Sequence, residues 1–130
     1  MKFEEQLEEL KDVIEELTLA NESAPIIVEG EKDKEALQLL GINGKIVALN
    51  RGQSIPSFCD LLASKYNEVI LLMDWDKKGR KLTHIVEQNL RGRIKLSMEV
   101  RYKFAKIVGV RTVEGIPSYF KTLSSKVGKH

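Results

Sequence analysis

Two short apolar runs of this chain end in acidic residues. Residues 69–73 lead into Asp74 and Asp76, and residues 26–28 lead into Glu29. A short apolar run bounded by polar residues is typical of a buried strand, and alternate side chains of extended backbone share a face. Asp74 and Asp76 are therefore predicted to point the same way from one strand end. Carboxylate oxygens are the ligands that Mg²⁺ prefers, so this pair predicts a site for Mg²⁺, with Mn²⁺ as a substitute.

The elements that position these acids follow from the alternation of apolar patterns. Strands are predicted at residues 26–28, 45–49, 68–73 and 93–97, and helices at residues 32–40, 56–65, 80–90, 99–108 and 117–123. Strands that alternate with helices predict an α/β fold, a Rossmann-like, mainly parallel sheet of four strands with helices on both faces. In a flavodoxin-like strand order the first and third strands are neighbours. We therefore expect Glu29 to lie beside Asp74 and Asp76 at the carboxyl edge of the sheet.

An amphipathic helix is predicted before the first strand. Its apolar residues recur at spacings of 4, 3, 4 and 3, and acidic residues cover its other faces. We expect this stripe to pack on its own domain, because so short a heptad pattern makes a weak coiled coil. Pairing with a second copy or a partner protein is the alternative. The residues of the apolar stripe are Phe3, Leu7, Leu10, Ile14 and Leu17. The predicted organisation of the chain is a helix at residues 1–20, a domain at 25–123 and a flexible tail at 124–130.

The acids lie in two segments that resemble the signature motifs of the Toprim domain. These segments are Val28-Glu29-Gly30-Glu31-Lys32-Asp33 and Met73-Asp74-Trp75-Asp76-Lys77-Lys78-Gly79. The domain is shared by type IA and type II topoisomerases, bacterial-type primases, a bacterial ribosomal-RNA maturation nuclease, and recombination and OLD-type nuclease proteins. The resemblance extends over residues 25 to about 97.

The resemblance implies Mg²⁺-dependent chemistry on phosphodiester bonds. Glu29, Asp74 and Asp76 are the implied catalytic residues, with Glu29 as the general acid or base and also near the metal. Asp74 and Asp76 are the implied metal ligands, with Glu29 as the third. The expected function is a ribonuclease-like, RNA-processing nuclease. The alternative is a non-catalytic module that binds metal and nucleic acid within a larger complex.

Each of these residues also has a purely structural interpretation. Asp76 fits the N-cap of the following helix, and Asp33 lies in a first helical turn, where negative charge is favourable. Gly30 and Gly79 serve tight turns in either interpretation. Asp33 is therefore kept as a helix-start residue with at most a secondary contact to the site, and the pair Glu114-Gly115 is interpreted as structural.

Charge divides the chain into two halves. Residues 1–76 hold 7 Lys and Arg against 16 Asp and Glu, whereas residues 77–130 hold 14 against 3. A basic half predicts a polyanionic partner, RNA or DNA, and a solvated surface whose halves attract each other is the alternative. The candidate nucleic-acid-binding residues are Lys77, Lys78, Arg80, Lys81, Arg51, Arg91 and Arg93, and Lys95, Arg101 and Lys103 could extend the track.

Several classes of site are excluded by composition. A single cysteine, Cys59, and two histidines allow no internal disulfide and no cysteine-rich zinc site. The chain has no Gly-x-x-x-x-Gly-Lys-Ser/Thr sequence, so it lacks a P-loop. No apolar run approaches the length of a membrane span, and the acidic start is unlike a signal peptide. We therefore expect a cytoplasmic protein without a membrane partner.

Overall fold

Helices and strands alternate along the computed structural model, which describes residues 2–49, 52–107 and 109–128. These residues form α1 (Lys2–Ala20), β1 (Ile26–Val28), α2 (Glu31–Leu39), β2 (Ile46–Ala48), α3 (Ile55–Lys65), β3 (Glu68–Leu71), α4 (Lys77–Leu90), β4 (Lys95–Ser97), α5 (Glu99–Lys106) and α6 (Ile116–Val127). The predicted α/β class is confirmed. Within these described residues, no helix is long and apolar enough to cross a membrane.

The four strands form one sheet in the order β2-β1-β3-β4, and every pair is parallel. Ile26 of β1 pairs with Ile46 of β2 on one side and with Ile70 of β3 on the other. A parallel sheet of this kind is covered by helices on both faces. The predicted adjacency of the first and third strands is therefore confirmed, and their carboxyl ends lie at one edge.

Alternate strand residues feed two separate cores. Ile27, Val69 and Leu71 pack under α3 and α4 on one face. Ile26 and Ile70 pack on the other face, under α1, α2, α5 and α6. Because both sides of the sheet are apolar, the strand sequences read as short continuous hydrophobic runs. The edges of the sheet are then where polar side chains from the strand ends can gather.

The amino-terminal helix packs on its own domain, against α5 and α6. Leu7, Leu10 and Leu17 are buried as predicted, Ile14 is half-buried, and Val13 is a buried residue that the narrow stripe missed. The wider apolar face of a helix in a globular domain includes both positions 13 and 14. Phe3 is 44% exposed, which corrects its predicted burial; the Lys126 ammonium lies 4.7 Å from the centre of its ring.

Three boundaries differ from the prediction. α4 begins at Lys77 instead of residue 80, because the Asp76 carboxylate accepts a hydrogen bond from the Gly79 N–H and caps an earlier first turn. α6 continues to Val127, four residues past the predicted end, and Val127 packs against the larger core. Residues 112–115 form a turn in place of the short strand considered for them, and Val108, in the predicted end of α5, lies outside the described residues.

Candidate active site

The carboxyl ends of β1 and β3 bring two acids into contact. The pairing of these strands continues past β3, where the Leu72 N–H donates to the Ile27 carbonyl at 2.8 Å. Two residues farther along each chain segment, the Asp74 N–H donates to the Glu29 carboxylate at 3.0 Å. Parallel strands that end together therefore place the Glu29 side chain against the backbone of Asp74, as the strand order predicts.

Asp74 is the acid that this environment perturbs most. Burial raises the pKa of its carboxyl to about 7, and the charges of Asp33 and Glu29 add to that rise. The Val113 N–H opposes the rise, because it donates to one Asp74 carboxylate oxygen at 2.7 Å and favours the ionised form. The pair therefore holds negative charge that a proton or a metal ion would relieve.

Asp33 lies in the first turn of α2 and also faces this pair. Its carboxylate accepts a hydrogen bond from the Gly30 N–H at 3.1 Å, so its predicted role as a helix-start residue is confirmed. Asp33 is only 8% exposed. Burial raises the pKa of its carboxyl, and the charges of Glu29 and Glu114 add to that rise. Asp33 is therefore a closer neighbour of the site than the sequence suggests.

The Asp76 side chain caps the helix that follows it. One carboxylate oxygen accepts the Gly79 N–H at 2.8 Å and caps α4. In the described part of the chain, no group of three or more His, Cys, Asp and Glu side chains is arranged to hold a metal ion. The structure therefore shows Glu29 in contact with Asp74, and the part of Asp76 in the site stays a prediction. The prediction that Asp74 and Asp76 share a face requires extended strand geometry through residue 76, whereas β3 ends at Leu71 and both aspartates lie in a loop.

A pocket of about 650 Å³ opens at this edge of the sheet. Its donor set is rich in carboxylate oxygens, which fit the hard, oxygen-seeking Mg²⁺. Two neighbouring carboxylates could hold such an ion and would leave room for water and a phosphate oxygen beside it. The residues present therefore fit Mg²⁺, with Glu29 and Asp74 as the pair that would hold it. The acidic lining residues are Glu29, Glu31, Asp33, Asp74 and Glu114, and the basic ones are Lys32 and Lys78.

Glu114 and Lys32 were not among the predicted site residues. Glu114 lies in the turn before α6, and the larger core brings that turn beside the ends of β1 and β3. The only sequence signal for Glu114 was its repeat of the Glu-Gly pair, which we interpreted as structural. The turn is structural, since the Gly115 N–H donates to the Thr112 carbonyl, yet its glutamate also lines the pocket.

Residues that lie outside the two motifs hold the Asp74 loop in place. The Arg101 guanidinium donates to the carbonyls of Met73 and Asp74, each at 2.8 Å. The indole N–H of Trp75 donates to the Val110 carbonyl at 2.7 Å, and its ring stacks on Phe104 at 5.8 Å. The sequence suggests Arg101 as an extension of the basic track. Its half-buried side chain instead holds the loop that carries Asp74.

The remaining basic candidates fall into separate groups. Lys78 lines the acidic pocket, and Lys77, Arg80 and Lys81 are exposed on another side of α4. Arg91, Arg93 and Lys95 lie at the opposite end of α4, about 20 Å away along a 14-residue helix. The basic candidates therefore lie in two groups at the two ends of α4, and their binding of nucleic acid stays a prediction.

Several of the basic residues that lie away from the pocket form ion pairs within the protein. Arg91 pairs with Glu87 at 3.4 Å, Arg93 with Asp60 at 2.8 Å, and Lys103 with Glu16 of α1 at 2.6 Å. Lys103 therefore connects α5 to the acidic helix. Arg51 lies outside the described residues.

Comparison with known proteins agrees with the motifs. A family model for the Toprim domain matches residues 24–107, a range that includes Glu29, Asp74 and Asp76. A UPF0292 protein of Methanocaldococcus jannaschii is 35% identical over 122 residues, which cover 92% of this chain and 95% of that protein. A UPF0292 protein of Thermoplasma volcanium is 41% identical over 102 residues, which cover 78% of this chain and 86% of that protein.

A solved structure also resembles this chain. A putative protein from Aquifex aeolicus superimposes with a TM-score of 0.70 at 30% sequence identity, covering 80% of this chain and 94% of that chain. None of these three names states an activity. Together with the family match, they confirm the resemblance inferred from the two motifs.

Gly79 and Gly30 give a matched test of the local geometry. A Cβ added at Gly79 would lie 2.0 Å from the Asp74 carbonyl oxygen, whereas one added at Gly30 would meet no atom within 4 Å. Gly79→Ala should therefore lower the free energy of unfolding by roughly 1–3 kcal/mol, as overpacking does. Gly30→Ala, at extended backbone, should have a smaller effect. Urea denaturation of both variants tests this, and equal losses would contradict the close packing of α4 on the Asp74 loop.

Asp74 predicts an unusual pH dependence of stability. Its pKa is about 7 in the folded protein against an ordinary 3.8, so the folded state binds the proton more tightly. The contribution of this group to stability therefore falls as the pH rises from about 4 to 7. Asp74→Asn keeps an oxygen for the Val113 N–H but carries no charge. In metal-free buffer it should raise the melting temperature at pH 8 and have less effect at pH 4.5.

The control for that measurement is Asp12→Asn, the same change at an exposed position of α1. It should shift the melting temperature little at either pH. A lower melting temperature for Asp74→Asn at pH 8 than for the unchanged protein would show that the charge of Asp74 does not destabilise the folded state.

Proposed function

This chain belongs to the Toprim-domain family, and from that premise we propose that it is a Mg²⁺-dependent nuclease that hydrolyses phosphodiester bonds, most similar to the RNA maturation nuclease. The family places it in a nucleic-acid-processing, metal-binding superfamily. One observation supports the finer assignment, namely the contact of Glu29 with Asp74 in an open pocket at the carboxyl edge of a parallel sheet. Ligands of open α/β sheets bind at such an edge.

Glu29 and Asp74 are the residues proposed to hold Mg²⁺, and Asp76 is the third candidate through its carboxylate beside the helix cap. When bound, Mg²⁺ supplies positive charge that stabilises a phosphate group in the transition state. The chain itself supplies a second positive charge, because the Lys78 ammonium lines the same pocket and can bind a phosphate oxygen.

Glu29 is the proposed proton acceptor. Its carboxylate is oriented by the Asp74 N–H at 3.0 Å, so it is held at the pocket wall in a defined direction. An attacking water gives its proton to Glu29 as its oxygen bonds to phosphorus. The bond from phosphorus to the leaving oxygen breaks, and that oxygen takes a proton from solvent. The loop bonds of Arg101 and Trp75 keep Asp74, and through it Glu29, in register with the pocket.

The test separates chemistry from binding. Glu29→Gln keeps the hydrogen-bond acceptor for the Asp74 N–H but cannot take a proton, so turnover should fall by about 10²–10⁴-fold while nucleic-acid binding is retained. Because both residues are proposed to hold the metal, Glu29→Gln and Asp74→Asn should each lower Mn²⁺ affinity as well as turnover. The matched control is Glu35→Gln, an exposed glutamate of α2 outside this pocket. Cleavage of mixed single- and double-stranded RNA and DNA with Mg²⁺ or Mn²⁺ measures all three.

Two outcomes would contradict this proposal. Equal turnover of Glu29→Gln and Glu35→Gln would remove Glu29 from the reaction. Tight binding of nucleic acid with no cleavage by the unchanged protein, with either metal, would instead favour the non-catalytic module that binds nucleic acid within a larger complex.

A further inference from the structure

We propose that the outer side of α4 binds the phosphate backbone of a double-stranded nucleic-acid segment and does so without reading its base sequence. We call this surface the α4 stripe, and it consists of Lys77, Arg80, Lys81 and His84. The proposal rests on the proposed function in one respect, since it identifies the part of the substrate that flanks the reaction site.

The α4 stripe is a continuous exposed surface. Its four residues recur at spacings of 3, 1 and 3, which place them on one side of a helix. All four are exposed, and with Ile85 they line one shallow depression. The opposite side of the helix packs on the sheet through its buried residues Gly79, Thr83, Val86 and Leu90. The fold therefore presents the stripe outward and holds it on a helix anchored along its length.

The stability of the helix does not explain why the α4 stripe is positively charged. The amino-terminal end of a helix carries partial positive charge, so Lys and Arg in its first turns are unfavourable there. α4 has no acidic residue in its first turn, and Glu87 is its first acid, in the eleventh position. The side chain of Asp76 is the one carboxylate that caps this end. An anionic partner, by contrast, gains from both the side-chain charges and the helix end.

Ion pairing within the protein does not explain it either. In the described residues, no ion pair includes Lys77, Arg80 or Lys81. At the far end of the same helix, Arg91 is neutralised by Glu87, and Arg93 is neutralised by Asp60 of α3. The uncompensated positive charge of α4 is therefore confined to the half that adjoins the acidic pocket.

The chemistry of the stripe favours a duplex over a single strand. Proteins that bind single strands stack the bases on aromatic rings, and α4 contains no Phe, Tyr or Trp. Long cationic side chains without stacking partners contact phosphates, which position a duplex but carry no sequence information. From Lys77 to His84 the helix rises about 10 Å, which corresponds to roughly three base pairs along a duplex.

The position of Lys78 connects the stripe to the candidate active site. Lys78 is next to Lys77 in sequence but lines the acidic pocket, with Glu29 and Asp74. A backbone that lies along the stripe therefore leads to the pocket at the amino-terminal end of α4. The two lysines have different tasks in this arrangement: Lys77 holds the flanking duplex, and Lys78 faces the phosphate at the reaction site.

Salt dependence of binding tests the proposal with identical substitutions at two places. Lys77→Gln/Lys81→Gln removes two charges from the stripe, and Lys45→Gln/Lys65→Gln removes two exposed charges from the opposite edge of the sheet. Fluorescence anisotropy with a labelled 20-base-pair duplex, and with one of its strands alone, gives the association constants between 50 and 200 mM salt. EDTA prevents cleavage, and thermal melts confirm that each variant is folded.

Each phosphate contact contributes about −0.9 to the slope of log association constant against log salt concentration. The stripe variant should therefore have a slope less negative by about 1.8, and its affinity should fall roughly 12-fold less than that of the unchanged protein across this fourfold range of salt. The control slope should equal that of the unchanged protein. Lys81→Gln alone should change the slope by about 0.9, which supports the assignment should the double variant be unstable.

Equal slopes for the stripe and control variants would overturn the proposal, and so would tighter binding of the single strand than of the duplex. Because binding is measured in EDTA, these outcomes are independent of catalysis. Stripe-dependent duplex binding by a protein that cleaves nothing would support the stripe and contradict the nuclease. Cleavage that is insensitive to the stripe variant would support the nuclease and overturn the stripe.

Discussion

The structure depends on one constraint, which is that β1 and β3 lie side by side and end at the same edge of a parallel sheet. That adjacency places Glu29 against Asp74. Two carboxylates in a partly buried place repel each other, and the pKa of Asp74, raised to about 7 chiefly by burial, reports the cost. The fold offsets this cost locally with the N–H groups of Asp74 and Val113 and with the nearby charge of Arg101.

The support for this pair comes from parts of the chain far from it in sequence. Val110, Arg111 and Val113, in the turn before α6, bond to Trp75 or Asp74, and Arg101 of α5 bonds to the same loop. These segments are in turn packed against the amino-terminal helix, through the larger core and the Lys103–Glu16 ion pair. The acidic helix therefore contributes to the site indirectly, by holding the layer that holds the loop.

Much of the architecture could be predicted because it follows from local patterns. The four short apolar runs gave the strands, and the alternation with helices gave the parallel order and with it the meeting of Glu29 and Asp74. Asp76 could not be placed, because its direction depends on where β3 stops, and the strand stops at Leu71, before the acids. Glu114 and Arg101 could not be assigned either, because the contacts of both are made across tertiary structure that no spacing in the sequence records. The same holds for Lys77 and Lys78, neighbours whose side chains the helix sends to different surfaces.

Crystals of the protein soaked with Mn²⁺ and a short duplex would test the metal-binding pair most directly, through the anomalous scattering of the ion. We expect one peak about 2.1 Å from carboxylate oxygens of both Glu29 and Asp74, with a phosphate oxygen among its other ligands, and no such peak in Asp74→Asn. An ion bound only elsewhere, with the phosphate ordered in the pocket and no metal between these two acids, would contradict it.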